Sequence, residues 1–493
     1  MIYSDVYRAV PRPAPARSGG KKMRALLWIG VGIGMTLALQ GKTQTEKPPV
    51  AIGSRVEMFV DDWLLARMEH VALRLNPPVR REIVLNTDQA WESAQSAYFT
   101  VLQDGKRIRL YYRGYCPDDN AADQVTCLAE SEDGIHFSRP NLGLFAFRGN
   151  RANNIVWQGV EAHNFAPFLD TNPDAKPEER YKALGGINSK LYAFVSPDGI
   201  RWKKWQPAPV LTDGAFDSLN IAFWDSEARV YRCYSRYWSE GGYAGARAIQ
   251  SVTSKDFLHW SKPEPNRYAP GVPLEHFYTN ATRPCPGASH HLLSFPMRFV
   301  PERTKFSQIK EPGVSDAVFM SSRDGLHWDR TFLEAWVRPG RDDRNWTQRS
   351  NMPASGIVQN APDEFSLYTS EHYDWPDHRL RRLSVRRHGF ASIHADARGG
   401  ECITRPLTFT GEQLYLNYAT SAAGSVQVEI QDEEGVPLPG YTLSEHTPLF
   451  GDELDAPIVW KSRRDLKPLL GKTVRFRFVL KDADLYALRT GNR

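Results

Sequence analysis

Short apolar runs separated by Asp-Gly turns recur along this chain, and one seven-residue pattern closes four of them. Ser131 to Phe137, Ser196 to Trp202, Ser254 to Trp260 and Ser322 to Trp328 all read Ser-x-Asp-x-x-x-aromatic, and Arg386 to Phe390 is a degenerate fifth copy. The Asp-Gly pair makes a tight turn, after which the aromatic packs between sheets. A second repeat precedes each copy: Glu92–Phe99, Glu161–Phe168, Asp217–Trp224, Glu275–Thr282 and Arg349–Gly356, with Ala97, Ala166, Ala222 and Ala354 at one small position. A further strand follows each, at Leu110–Arg113, Tyr181–Leu184, Cys233–Arg236, Phe295–Arg298 and Tyr368–Glu371. Every unit thus runs strand, turn, strand, strand, Asp-Gly turn, aromatic, strand, with first positions 69, 56, 58 and 74 residues apart.

Five four-stranded units predict an all-β chain: a five-bladed β-propeller over residues 50–400. Val56–Val60 and Val71–Leu75 look like strands able to close its ring. Past Gly399-Gly400 the repeat stops, and Ser425–Ile430 and Val474–Phe478 alternate as half-buried antiparallel strands do. Residues 401–493 therefore predict a small C-terminal β-sandwich. Residues 1–42 are an N-terminal extension and signal segment. Lys21, Lys22 and Arg24 precede the apolar run Ala25–Leu39, the parts of a secretory signal, and the run is short for a membrane span. Export to the periplasm or the exterior is expected, with no stable membrane span after processing.

Composition narrows the function. The net charge is +5 over 493 residues, which leaves no polybasic footprint for nucleic acid. The aromatic share of 12 %, with 36 Gly and 34 Pro, suits an all-β chain. The five cysteines are irregularly spaced; Cys116 and Cys127 flank a turn-rich stretch and could pair, or all five could be free thiols. No CxxC or HExxH occurs, and His290-His291 on an inferred strand face opposite sides, so neither a metal site nor a cofactor is expected.

A propeller collects the starts of its innermost strands at one mouth. The first positions Glu92, Glu161, Asp217, Glu275 and Arg349 should form a ring there, with the second-strand ends Arg113, Arg236, Arg298 and Glu371 beside it. Carboxylates and guanidinium groups held together shift each other's pKa values, so one carboxyl can stay protonated while another is ionised, as glycoside hydrolysis requires. His163 and Asn164 in the second blade and Trp346 before Arg349 join the candidate substrate contacts. Blade-to-blade salt bridges are the structural alternative for any one of these residues.

The repeats, with endings such as Ser254 to Trp260, resemble the five-bladed β-propeller glycoside hydrolase superfamily that includes families 32, 43, 68, 117 and 130. A propeller followed by a β-sandwich is most similar to family 32, although the Asp-Pro-Asn-Gly, Arg-Asp-Pro and Glu-Cys signatures are absent. The resemblance implies an exported glycoside hydrolase acting on an oligo- or polysaccharide. It implies three carboxylates on successive blades, matched here by Glu92 and Asp217 as the catalytic pair and Glu161 as stabiliser. Arg113 and Arg236 would orient them, with Glu275 or Glu371 as substitutes for the acid. The other function class in view is a carbohydrate-binding propeller without catalysis.

Overall fold

Five sheets follow one another along the chain in a computed structural model that describes residues 48–115, 123–309 and 311–492. Sheet 1 is a meander of Ala97–Asp104, Arg107–Arg113, Val125–Ser131 and Ile155–Gln158. Sheet 2 is Ala166–Leu169, Tyr181–Gly185, Tyr192–Ser196 and Lys203–Lys204; sheet 3 is Ile221–Asp225, Val230–Trp238, Arg247–Ser254 and Glu264–Pro265. Sheet 4 joins Arg283–Cys285, Ala288–Ser294, Met320–Ser322 and Trp328–Asp329. Sheet 5 contains Glu364–Glu371, Arg379–Arg386 and Val79–Asn86, with bridges from Pro353 and Val358 supplying its inner edge. No α-helix occurs among the described residues, and no helix there is long and apolar enough to cross a membrane. The apolar run Ala25–Leu39 and Cys116 lie outside them, while Cys127, Cys233, Cys285 and Cys402 are buried free thiols.

The repeated Ser-x-Asp turns have one geometry. In Ser196–Trp202 the Ser196 hydroxyl accepts the Gly199 amide at 2.9 Å, while Asp198 Oδ1 accepts those of Ile200 and Arg201 at 2.9 and 2.8 Å. Ser131–Phe137, Ser254–Trp260 and Ser322–Trp328 repeat this pattern. These side chains satisfy amides that a tight turn would otherwise leave unpaired. The turn glycine also meets the neighbouring sheet. Tyr111 of sheet 1 donates to the Gly199 carbonyl at 2.8 Å, Tyr234 of sheet 3 to Gly325 at 2.7 Å, and Tyr368 of sheet 5 to Gly134 of sheet 1 at 2.7 Å. Between sheets 2 and 3, Phe257 holds the glycine place at φ 67° and packs on Phe168, ring centroids 5.5 Å apart. The degenerate copy delivers Phe390 into a cluster with Phe295, Phe319 and Phe365.

Beyond sheet 5, two long strands, Gln413–Gln431 and Arg475–Gly491, pair antiparallel along most of their length. They bury alternate residues over a core that includes Val428, Ile430, Phe476 and Phe478. The sheet built on them also takes in Glu57–Met58, Leu65–Glu69 and Ala72–Leu75. The segments Val56–Val60 and Val71–Leu75 thus pair here, and the early strand that joins sheet 5 is Val79–Asn86. From Pro49 onward the chain forms one compact unit.

The Phe257 turn offers a direct test of packing against backbone strain. A non-glycine residue in the left-handed region costs about 1–2 kcal/mol, whereas removing a buried phenyl ring costs about 3–5 kcal/mol. Phe257→Gly is expected to lower stability by about 1–4 kcal/mol in urea titration, despite relieving the strain.

Candidate functional site

Side chains from the approaches to all five sheets meet at one point. Arg113, at the end of the second strand of sheet 1, lies over the Tyr98 ring at 4.8 Å and donates to His163 Nε2 at 3.4 Å. Tyr98 donates to the Asp217 carbonyl at 3.1 Å, and its ring lies 5.7 Å from that of His163. Arg236 pairs with the Asp217 carboxylate and lies over Tyr278 at 5.1 Å. Arg349 lies over Tyr278 at 5.4 Å and Tyr373 at 5.3 Å, and donates to the Tyr373 hydroxyl at 2.9 Å. Arg113 donates to that same hydroxyl at 3.5 Å. Arg113, Arg236, Tyr98, Tyr278 and Tyr373 are buried, whereas the side chains of Asp217 and Arg349 remain 28 % and 23 % exposed and open the cluster to solvent.

A second carboxylate adjoins it. Asp374, next to Tyr373, accepts from Gln95 at 3.0 Å and Gln348 at 2.9 Å. Burial pushes its carboxyl above the ordinary value, against the lowering effect of Gln95, Gln348 and Arg349. Burial lowers the His163 imidazole well below its usual value, and Arg113, Arg349 and Arg236 add to this. The ring places Nε2 3.4 Å from Arg113 and Nδ1 3.0 Å from Gln124 Oε1. Burial raises Tyr98, whereas at Tyr278 the fields of Arg349 and Arg236 overcome burial and lower the phenol. Tyr98, Arg349 and Asp374 hold positive φ angles of 55°, 56° and 67°. Such strain gathers where a function fixes side-chain direction.

Of the residues that the sequence analysis placed at this mouth, Arg113, His163, Asp217, Arg236 and Arg349 come together. The others have partners of their own. Glu92 is clasped by Arg139 at 2.8 and 2.9 Å and by the Tyr112 hydroxyl, and shares no partner with Asp217. Glu161 faces Lys204 on the last strand of sheet 2 at 2.5 Å and the Trp157 indole at 3.3 Å. Asn164 is fully buried and ties the Gly186 and Ser218 carbonyls at 2.8 and 2.9 Å. Glu275 takes Arg298 and Arg330, each at 2.7 Å, and Arg298 also forks onto Asp316. Glu371 lies within Arg80, Arg379 and Arg381. Trp346 donates to the Gly340 carbonyl at 2.9 Å and carries Lys305 over its ring at 5.3 Å.

The physical reason lies in the backbone ahead of each strand. The first positions sit in turns, where residues do not alternate faces. Glu161 is on a one-turn 3₁₀ segment, Val160–His163, so His163 turns inward while Glu161 turns out. In sheet 1 the Glu92 amide closes a turn onto the Gln89 carbonyl, and a bulge at Tyr98 shifts the register. Tyr98, Tyr278, Asp374, Gln95 and Gln348 escaped the sequence reading, although Tyr98, Gln95 and Tyr278 lie inside the repeat windows and Asp374 lies three residues past Glu371.

Among the described residues, Glu57, His290 and His291 are the group whose ligand atoms approach closely enough for a metal ion. Contrary to simple strand alternation, the two imidazoles are 4.3 Å apart, because residues 289–291 bulge between the Pro284–Leu292 and Cys285–Ala288 pairs. Glu57 is already held by Arg55 at 2.7 Å and Arg323 at 2.8 Å, and the Met58 amide donates to His291 Nε2 at 3.4 Å. Two guanidinium groups on the shared carboxylate disfavour a cation, so this cluster reads as a buried ion-pair network.

No family model matches the chain, and no curated protein matches it. It is similar to a solved structure described as a glycoside hydrolase, at 11 % identity and TM-score 0.43, over 63 % of this chain and 92 % of that one. It is also similar to an N-acetylgalactosamine deacetylase from F. plautii in complex with blood group B trisaccharide, at 12 % identity and TM-score 0.42, over 64 % and 95 % of the two chains. A thermostable family-43 glycoside hydrolase is similar at 12 % identity and TM-score 0.40, over 59 % and 89 %. Likeness at this level assigns neither an activity nor a substrate.

The Glu371 clamp makes a stability prediction. Its side chain is 1 % exposed, and removing its charge strands three arginines, which costs about 3–5 kcal/mol for a buried pair. Burial raises the carboxyl, but Arg381, Arg80 and Arg379 prevail and hold it below its ordinary 4.5. The pairing therefore stabilises the fold above that ordinary value and is lost as pH falls through the depressed one. Glu371→Gln is expected to melt several degrees lower at pH 7 and to lose less stability than wild type as pH falls below about 4.5.

Proposed function

We propose that the five sheets are the blades of a five-bladed propeller, that residues 401–493 form an appended β-sandwich, and that the segment before residue 43 directs export. The sequential meander order supports the propeller, as do the Tyr368–Gly134 tie between sheets 5 and 1 and the parallel Thr100–Ser355 bridge. The mouth described above would then be the open end of the central channel.

We infer that this mouth hydrolyses a glycosidic bond, in line with the resemblance carried by the repeats. One observation carries the inference: Asp217 and Asp374 border one cluster of arginines and tyrosines to which the approaches of all five sheets contribute, and their surroundings differ. Asp217 is ion-paired with Arg236, whereas burial favours the neutral form of Asp374. A protonated carboxyl delivers a proton to the leaving oxygen, and an ionised one acts on the anomeric carbon directly or through water. Tyr98 and Tyr278 supply apolar faces for a sugar ring and hydroxyls for its edge. Asp217 thus keeps the catalytic role expected of it, Asp374 supplies the acid, and Glu92 and Glu161 brace their sheets. A carbohydrate-binding role without turnover is favoured by the engagement of Glu92 and Glu161 with Arg139 and Lys204.

Sugar release from a panel of plant, algal and microbial polysaccharides separates these readings. Asp217→Asn and Asp374→Asn are each expected to cut turnover by at least ~10²-fold while binding persists. Glu92→Gln is expected to lower the melting temperature and leave turnover within a few-fold. Loss of turnover in Glu92→Gln together with an active Asp217→Asn would return the catalytic role to Glu92. Binding with no release by wild type would establish the non-catalytic role.

A further inference from the structure

The second strand of sheet 3 brings more than Arg236 toward the mouth. Alternate residues share one face of a strand, so Trp238 follows Arg236 on the same side. The Arg236 guanidinium accordingly lies 6.0 Å from the Trp238 ring, as well as 5.1 Å from that of Tyr278. Across the hairpin Trp238 pairs with Arg247. The Arg247 guanidinium stacks on the Trp238 ring at 4.4 Å and reaches Tyr278 at 5.6 Å, a cross-strand cation–π pair. Two arginines thus join the buried ring of Tyr278 to the half-buried ring of Trp238.

A third ring stands beyond them, on the hairpin tip. The Ser239 amide donates to the Ala246 carbonyl and the Ala246 amide to Ser239 Oγ, each at 2.9 Å, so the loop has a closed neck. At the tip the Ala244 amide donates to the Gly241 carbonyl at 2.9 Å. The two residues between, Gly242 and Tyr243, have φ angles of 54° and 68°, the φ pattern of a type I′ turn. Glycine, asparagine or aspartate normally fills such places, and a bulky tyrosine there carries steric strain. Little packing is gained in return: Tyr243 is 56 % exposed, and its ring meets that of Trp238 with centroids 5.8 Å apart. Of the large apolar side chains that stand exposed among the described residues, Tyr243 is the one on left-handed backbone. Strain borne for so little packing points outward, to a ligand.

We infer that Tyr243, backed by Trp238, is an outer platform on which a saccharide chain stacks as it leaves the mouth along sheet 3. This rests on the carbohydrate reading above and deepens it, because the ligand is then a chain of several sugar units. A tyrosine offers an apolar ring face to the C–H face of a sugar and a hydroxyl to its edge. From Tyr278 through Arg247 and Trp238 to Tyr243 the successive contacts are 5.6, 4.4 and 5.8 Å. A single unit seated against Asp217 and Tyr278 leaves Tyr243 uncovered, three contacts away, whereas a longer chain covers it.

The test is calorimetric binding of the full-length protein to graded series, monosaccharide to octasaccharide, prepared from the polysaccharides of the release panel. Wild-type affinity is expected to rise with chain length. Tyr243→Ala should weaken the longest members about five- to tenfold and change mono- and disaccharide binding by less than about twofold. Tyr243→Phe should keep the long-chain affinity, because the ring face does the stacking. Tyr243→Gly should weaken long chains as Tyr243→Ala does, with a melting temperature no lower than that of wild type, since the left-handed strain is relieved. A melting temperature several degrees lower in Tyr243→Gly would make Tyr243 a packing residue and overturn the platform. Affinity that does not rise with length, equal weakening of short and long chains, or no change in Tyr243→Ala would also overturn it and leave the carbohydrate reading standing. Absence of binding to every series would overturn both.

Discussion

The tyrosine-to-glycine hydrogen bond across neighbouring sheets is the contact on which this architecture turns. A four-stranded meander cannot bury both of its faces by itself and must lean on its neighbours. Where Tyr111, Tyr234 and Tyr368 donate to Gly199, Gly325 and Gly134, a ring from one sheet fills the space under the next sheet's turn. The contact demands glycine. A Cβ at Gly199 would come within 2.7 Å of the Tyr111 hydroxyl, and one at Gly134 within 2.8 Å of that of Tyr368. Serine and aspartate in the same turn fix the loop that presents the carbonyl. One seven-residue pattern thus performs two tasks, closing a hairpin and setting the spacing between sheets.

That spacing makes the arginine mouth feasible. Guanidinium groups do not converge spontaneously, and their repulsion has to be offset by contacts elsewhere in the sheets. Here the offset comes partly from aromatic faces, because Tyr98, Tyr278 and Tyr373 each lie within 5.5 Å of an arginine carbon. Aromatic quadrupoles soften a cation without neutralising it. The contrast with Glu371, where one carboxylate absorbs three arginines, shows both solutions within one fold. In one, a single carboxylate gathers the arginines, and in the other they spread over aromatic faces.

The Ser-x-Asp turns, the second strands that carry Arg113 and Arg236, and the late alternating strands are all legible in the residue pattern. Each rests on local rules, since turn chemistry and strand alternation operate within about seven residues. The inward aim of Asp217, Arg113, Arg236 and Arg349 follows the same logic. Glu92, Glu161 and Glu275 look equivalent to Asp217 in register, yet each is captured by a basic residue that the pattern does not connect to it: Arg139, Lys204 and Arg330. A 3₁₀ turn, a bulge at Tyr98 and three extra residues before Leu292 rotate side chains off the two-residue period. The sequence by itself determined the strands, their turns and the supply of charge. Only the tertiary structure decided which charges face one another, because that depends on backbone direction in the loops and on partners 40 or more residues away.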